Sequence, residues 1–121
     1  MDTPTQQFKF RRAQRIRSST DFDRIFNRRC AAHSSAMGVY VDGNEFGHPR
    51  LGMRIGKRAG KAVFRVRSRR RMREAFRKLQ HELAPMDYVV IIRSIELTSA
   101  ECESMLRNLA DRAIRKLERS R

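Results

Sequence analysis

Ala62-Val63-Phe64-Arg65-Val66-Arg67-Ser68-Arg69-Arg70-Arg71-Met72-Arg73-Glu74-Ala75-Phe76-Arg77 sets seven arginines within sixteen residues while keeping its apolar residues at helical intervals. On a helix of 3.6 residues per turn, Met72, Phe76, Leu79 and Leu83 fall on one stripe, which predicts a helix with one side in a core. Arg70, Arg73 and Arg77 project away from that stripe, and Arg67 and Arg71 widen the polar arc. So many guanidinium groups require a polyanion, and phosphate matches their planar fork bidentately.

The surrounding composition agrees. The 121-residue chain carries a formal net charge of +15, with 40% hydrophobic and 34% charged residues. That hydrophobic share predicts one domain over residues 1–121 with a single core, and residues 1–12 mobile until something binds them. Between Arg50 and Lys78 stand 13 Lys or Arg and one acid, Glu74, so 12 of the 15 excess charges lie there. Such a face points to a nucleic-acid partner. The longest apolar run, Tyr88 to Ile92, is far too short to span a bilayer, so no membrane role is expected. Phe8 and Phe10 sit among Lys9, Arg11 and Arg12, too polar for a secretory signal. Cys30 and Cys102 are far apart and lack metal-ligand spacing, which predicts reduced thiols and a cytoplasmic protein.

Working outward, Ser18-Ser19-Thr20-Asp21 predicts the cap of a helix that carries Phe22, Ile25 and Phe26 on one face. Met37 to Val41 and Arg50 to Gly56 read as strands, with turn chemistry at Gly43-Asn44 and Gly60. The basic helix is expected to stop near Pro85, because the residue before proline disfavours helix. Asp87 to Arg93 reads as an interior strand. Thr98 and Glu101 have capping-box spacing for a last helix with the stripe Cys102, Leu106, Leu109, Ala113 and Leu117. The order is helix, two or three strands, helix, strand, helix, an α+β pattern.

These pieces, in this order, resemble the bacterial ribonuclease P protein family. The hallmark of that family, A-V-x-R-N-R-x-K-R-x-x-R-E, stands here as Ala62 to Glu74. Asp21-Phe22, Ile25-Phe26, Tyr40, Arg50-Leu51-Gly52, Lys57-Arg58 and Asp87-Tyr88-Val89-Val90-Ile91 support it, over roughly residues 8 to 117. Two positions depart: Arg69 replaces lysine and keeps the charge, whereas Val66 replaces an asparagine whose amide both donates and accepts. That leaves Val66 to hold the turn by packing. The resemblance implies a single-domain α/β sandwich, ribosomal protein S5 domain 2-like, with a central, mostly antiparallel sheet of about four strands. It also implies a left-handed βαβ crossover, against the usual right-handed rule.

The resemblance further implies that Arg58, Lys61, Arg65, Arg67, Arg69, Arg70 and Arg73 contact RNA, and that Phe22, Phe26 and Tyr40 line a cleft for single-stranded leader. Spacing alone makes Phe22 and Phe26 core residues; aromatic faces also stack on unpaired bases without demanding a sequence. The implied partners are the catalytic RNA subunit of ribonuclease P and precursor tRNA with its 5′ leader, with no obligate protein partner. The implied cofactor is Mg2+, held mainly by the RNA. No protein active site is expected: the acids do not pair for two-metal cleavage, and His33, His48 and His81 are scattered. A ribosomal or general RNA-packaging protein is the alternative that composition allows.

Overall fold

The computed structural model describes residues 12–56, 60–93 and 97–120. The expected mobility of the first dozen residues, and the role of Arg58, fall almost wholly or wholly outside the described residues. After a short 3-10 turn, Arg12–Gln14, the chain forms helix α1 (Ser19–Arg28), strands β1 (Ala31–His33), β2 (Met37–Gly43) and β3 (Arg50–Ile55), helix α2 (Ala62–Leu79), strand β4 (Met86–Ile92) and helix α3 (Ser99–Arg119).

Local chemistry sets most of these boundaries. Ser18 caps α1 by accepting from the Asp21 N–H, and Arg29, at φ 59°, ends it in the left-handed region. Thr98 and Glu101 close a full capping box on α3. The end of α2 differs from expectation: it stops at Leu79, well before Pro85. The Gln80 amide donates to the Arg77 carbonyl, and the N–H groups of Glu82 and Leu83 both converge on the Leu79 carbonyl. The resulting turn carries the Ala84 carbonyl to the Tyr88 hydroxyl at 2.7 Å. Leu83 therefore leaves the helix but still packs against the core.

The sheet runs β1-β2-β4-β3, with β1/β2 and β2/β4 antiparallel and β3/β4 parallel. On one face Val39, Val41, Leu51, Tyr88 and Val90 meet Met72 and Phe76 of α2 and Leu106, Leu109 and Leu117 of α3. Each such fully buried side chain contributes about 1.5–3 kcal/mol. On the other face a smaller cluster gathers Ile16, Phe22 and Ile25 over Val89, with Phe26 and Tyr40 at its margin. Covered on both sides, β4 is the interior strand its apolar run predicts.

The hand of the β3–α2–β4 connection follows from residue chirality. Leu51 sends its side chain into the helix-side core while its carbonyl accepts from the Ile16 N–H (2.9 Å) on the outer edge of β3. For an L-residue, that pair of directions puts β4 to the left of β3 when both strands point up and α2 faces the viewer. Val41 agrees independently: its side chain enters the same core, and its N–H donates to Cys30 on the β1 side. The crossover is left-handed, against the strong general preference.

Candidate nucleic-acid interface

The face that bears α1 begins with a buried charge network. Asp87, at the head of β4, is 0% exposed. It accepts a bidentate pair from Arg50 (both 2.7 Å), a bond from Asn44 (2.8 Å) and one from Arg24 (2.5 Å). Arg24 also donates to Asp42 at 2.5 Å. Burial pushes the Asp87 carboxyl up, but the hydrogen bonds from Arg50, Asn44 and Arg24 outweigh it and hold the group below its usual range. The network ties α1 to β2, β3 and β4, and so fixes where Phe22 and Phe26 lie over the sheet. Sequence reasoning missed it; an acid opening an otherwise apolar interior strand was the available signal, since it must find a cation.

Beside this network runs an aromatic row. Phe22 and Phe26, one turn apart on α1, have centroids 6.2 Å apart; Phe26 meets Tyr40 edge-on at 4.9 Å, and Tyr40 meets His33 edge-on at 5.4 Å. Two glycines make the row possible. A Cβ on Gly52 would lie 2.7 Å from the Phe22 ring, and one on Gly38 would lie 2.5 Å from His33 Nδ1. The ends of the row are cationic: the Arg54 guanidinium lies 4.4 Å from the Phe22 centroid, and Arg93 Nη2 lies 3.0 Å from His33 Nδ1. Arginine can only donate, so Nδ1 is the acceptor and the imidazole is neutral with its proton on Nε2. Burial, then Arg93 and Lys116, lower the His33 pKa. The three predicted cleft residues are thus adjacent but unequal. Phe22 is only 8% exposed, whereas Phe26 and Tyr40 are half-buried.

The predicted arginines divide by their place on α2. Arg69 and Arg73 turn toward β3, where they line a groove of about 330 Å3 with Arg15, Arg17 and Phe22. No acid is among the residues lining it. Burial, with Arg15 and Arg69 close by, lowers the Arg73 pKa, as expected where cations crowd together. Arg67 and Arg70 are exposed on the outer side, Arg67 with its guanidinium 5.5 Å from the Phe64 centroid. Lys61 is exposed at the N-cap of α2, and its carbonyl accepts from the Phe64 and Arg65 N–H groups. Arg65 instead donates to the Gly60 carbonyl at 3.0 Å, and Arg71 to that of Leu97. Arg77 pairs with Glu74. Val66 is 52% exposed, so it does not hold the turn by packing; Arg65 on the Gly60 carbonyl makes that closure. Arg15, Arg17, Arg54 and His33 join the site only through tertiary structure, and no spacing rule could have selected them.

Both cysteines are free and buried. Among the described residues, no helix is long and apolar enough to cross a membrane, and no group of three His, Cys, Asp or Glu side chains is gathered to hold a metal ion.

Comparison with known proteins identifies the family and supports the fold. The model of the family described as Ribonuclease P matches residues 10–114. The ribonuclease P protein component of Methylococcus capsulatus is 37% identical over 107 residues, 88% of this chain and 83% of that one. The component from Photorhabdus laumondii is 40% identical over 85 residues, 69% of this chain and 71% of that one. Among solved structures, the RNase P protein of Staphylococcus aureus superposes with a TM-score of 0.74 at 29% identity, covering 83% of this chain and 94% of that one. That of Thermotoga maritima gives 0.72 at 28% identity, covering 81% and 96%.

Proposed function

The chain belongs to the ribonuclease P protein family, and from that premise we propose that it has two tasks, docking on the RNA subunit and holding the 5′ leader of precursor tRNA. As a ribonuclease P protein component it is part of a bacterial tRNA-processing ribonucleoprotein whose other partner is the ribonuclease P RNA. The docking task belongs to Arg58, Lys61, Arg65, Arg67, Arg69, Arg70 and Arg73, whose charge displaces condensed counterions from the RNA and offsets phosphate repulsion. Phe22, Phe26 and Tyr40 take the leader, with the half-exposed Phe26 and Tyr40 offering ring surface to unpaired bases and Phe22 forming the floor. Such a cleft selects a single strand by stacking rather than by sequence, which suits a substrate set of many tRNAs.

The observation that carries this reading is the juxtaposition of an aromatic row with an acid-free groove lined by Arg69 and Arg73. The acids on this face do not suit a divalent cation, because Asp21, Asp42 and Asp87 are each engaged by Arg24 or Arg50. We therefore assign Mg2+ to the RNA, where it would supply an activated water and charge stabilisation for the leaving oxygen. The protein's own groups bind and orient, and the cleavage chemistry lies with the RNA.

Single-turnover cleavage of precursor tRNA by a ribonuclease P RNA at low magnesium, with and without this protein, tests the assignment. Strong stimulation with cleavage at the mature 5′ end, and none by protein alone, is the expected result. Absence of stimulation with an RNA of the same lineage would leave a general RNA-binding role. Cleavage by the protein alone would overturn the division of labour.

A further inference from the structure

The aromatic row does not stop at Tyr40. His33, the last ring in it, also lines a second groove of about 450 Å3, set between the edge strand β1 and the C-terminal half of α3. Its basic wall is Arg112, Arg115, Lys116 and Arg119. Positions 112, 116 and 119 follow the i, i+4, i+7 rule and share one helix face, directed at the β1 edge. Asp111 draws off only Arg115, at 3.0 Å. Among the described residues, Arg112, Lys116 and Arg119 enter no ion pair.

A bland explanation accounts for part of this. Cations in a final helical turn complement the negative end of the helix dipole, which suffices for Lys116 and Arg119. It does not account for Arg112, which lies two turns from the helix end, where the dipole effect has faded. Nor does it account for a common face that opens beside His33.

The geometry points to this groove as the track for the 5′-distal part of the leader, bound through its phosphodiester backbone. The inference rests on the cleft reading above and extends it. The opposite wall of the groove is made of Ala31 and Ala32, which offer no ring to stack on. Contacts there are to phosphate, and they position without reading sequence. A strand leaving Tyr40 and His33 would pass from stacking on bases to neutralisation of its backbone, the two modes that non-specific single-strand sites combine.

The test uses the full chain assembled with a ribonuclease P RNA and compares Arg112→Ala/Lys116→Ala/Arg119→Ala with the parent. Precursor tRNAs carry leaders of about four or about ten nucleotides, the shorter spanning no more than the four rings at one base each. For the long leader, affinity should fall by about tenfold or more at moderate salt, and the slope of log affinity against log salt should shrink by about two. The short leader should bind as before. Equal losses on both leaders would assign the groove to the tRNA body or the catalytic RNA, and no loss on either would leave it a solvated face; both results overturn the proposal. Arg112→Ala alone, remote from the helix end, guards against a folding defect and should show a smaller loss of the same kind. Tyr40→Ala, run in parallel, separates the two readings. If it spares the short leader, the cleft assignment itself fails; if it weakens the short leader while the triple variant does not discriminate, only the present proposal fails.

Discussion

Alanine at Phe26 or Tyr40 removes a half-buried ring at the margin of the smaller core cluster, while alanine at Phe22 removes one nearly enclosed by Ile16, Ile25 and Val89. The first two variants should weaken leader-dependent binding by about 1–3 kcal/mol each with little change in stability. Phe22→Ala should instead lower stability by about 3–5 kcal/mol. Binding to precursor and mature tRNA, set beside chemical denaturation, separates these outcomes, and equal destabilisation by all three would dismiss the distinction. Asp87 makes a second prediction. Its folded-state pKa is depressed, so the stability it contributes is fully present above the unfolded carboxylate value and is lost as pH falls through the folded one. Asp87→Asn leaves the buried Arg50 with only its longer contact to Asp21, at 3.7 Å, and should cost about 3–5 kcal/mol at pH 7. The gap between variant and parent should narrow in acid. A urea denaturation series across pH measures both, and a gap independent of pH would refute the network's role.

Among the elements, α2 shows how one charge run is divided by its neighbours. Arg65 and Arg71 satisfy the carbonyls of Gly60 and Leu97, while Arg67 and Arg70 face solvent. Removing Arg67 and Arg70 together should flatten the salt dependence of assembly with the RNA subunit, its logarithmic slope falling by about two. Arg71→Ala should leave that slope alone and lower stability, since it orphans a carbonyl in the loop before α3. Equal slopes for all variants would mean that the outer face of α2 does not dock. The same helix shows where boundaries are legible. Ser18 and Thr98 announce α1 and α3 because cap chemistry is local, satisfied within three residues. The end of α2 was not legible, because Pro85 only forbids helix beyond a point. Its actual end at Leu79 follows from Gln80, which bonds Arg77 and also accepts from Gln14, distant in the chain.

For the whole molecule, a net charge of +15 makes folding work against self-repulsion. Added phosphate or sulfate at constant pH should therefore raise the thermal midpoint of the free protein more than chloride at equal ionic strength, because oxyanions can occupy the groove of Arg69 and Arg73 as well as screen. Identical midpoints in all three salts would argue that the arginines are merely solvated. The sequence by itself determined the α+β class, the order of the principal elements, the apolar stripes of α2 and α3, and the polyanion partner, because periodicity, capping and charge are carried by neighbours in the chain. It also marked Phe22, Phe26 and Tyr40 as a set, through resemblance. Only the tertiary structure decided that Phe22 is buried while Phe26 and Tyr40 keep ring surface exposed, and that Arg65 and Arg71 bond the carbonyls of Gly60 and Leu97. It alone brought Asp87, Arg50 and Arg24 together to lock α1 over the sheet. The left hand of the crossover, implied beforehand only by the resemblance, is encoded by no local pattern: the same strands and helix could be wound either way, and the choice shows in which edge of β3 meets Ile16 while Leu51 fills the core, and in the side on which Val41 meets Cys30. These are relations between side chains far apart in sequence, set by packing and by the need of each buried charge for a partner.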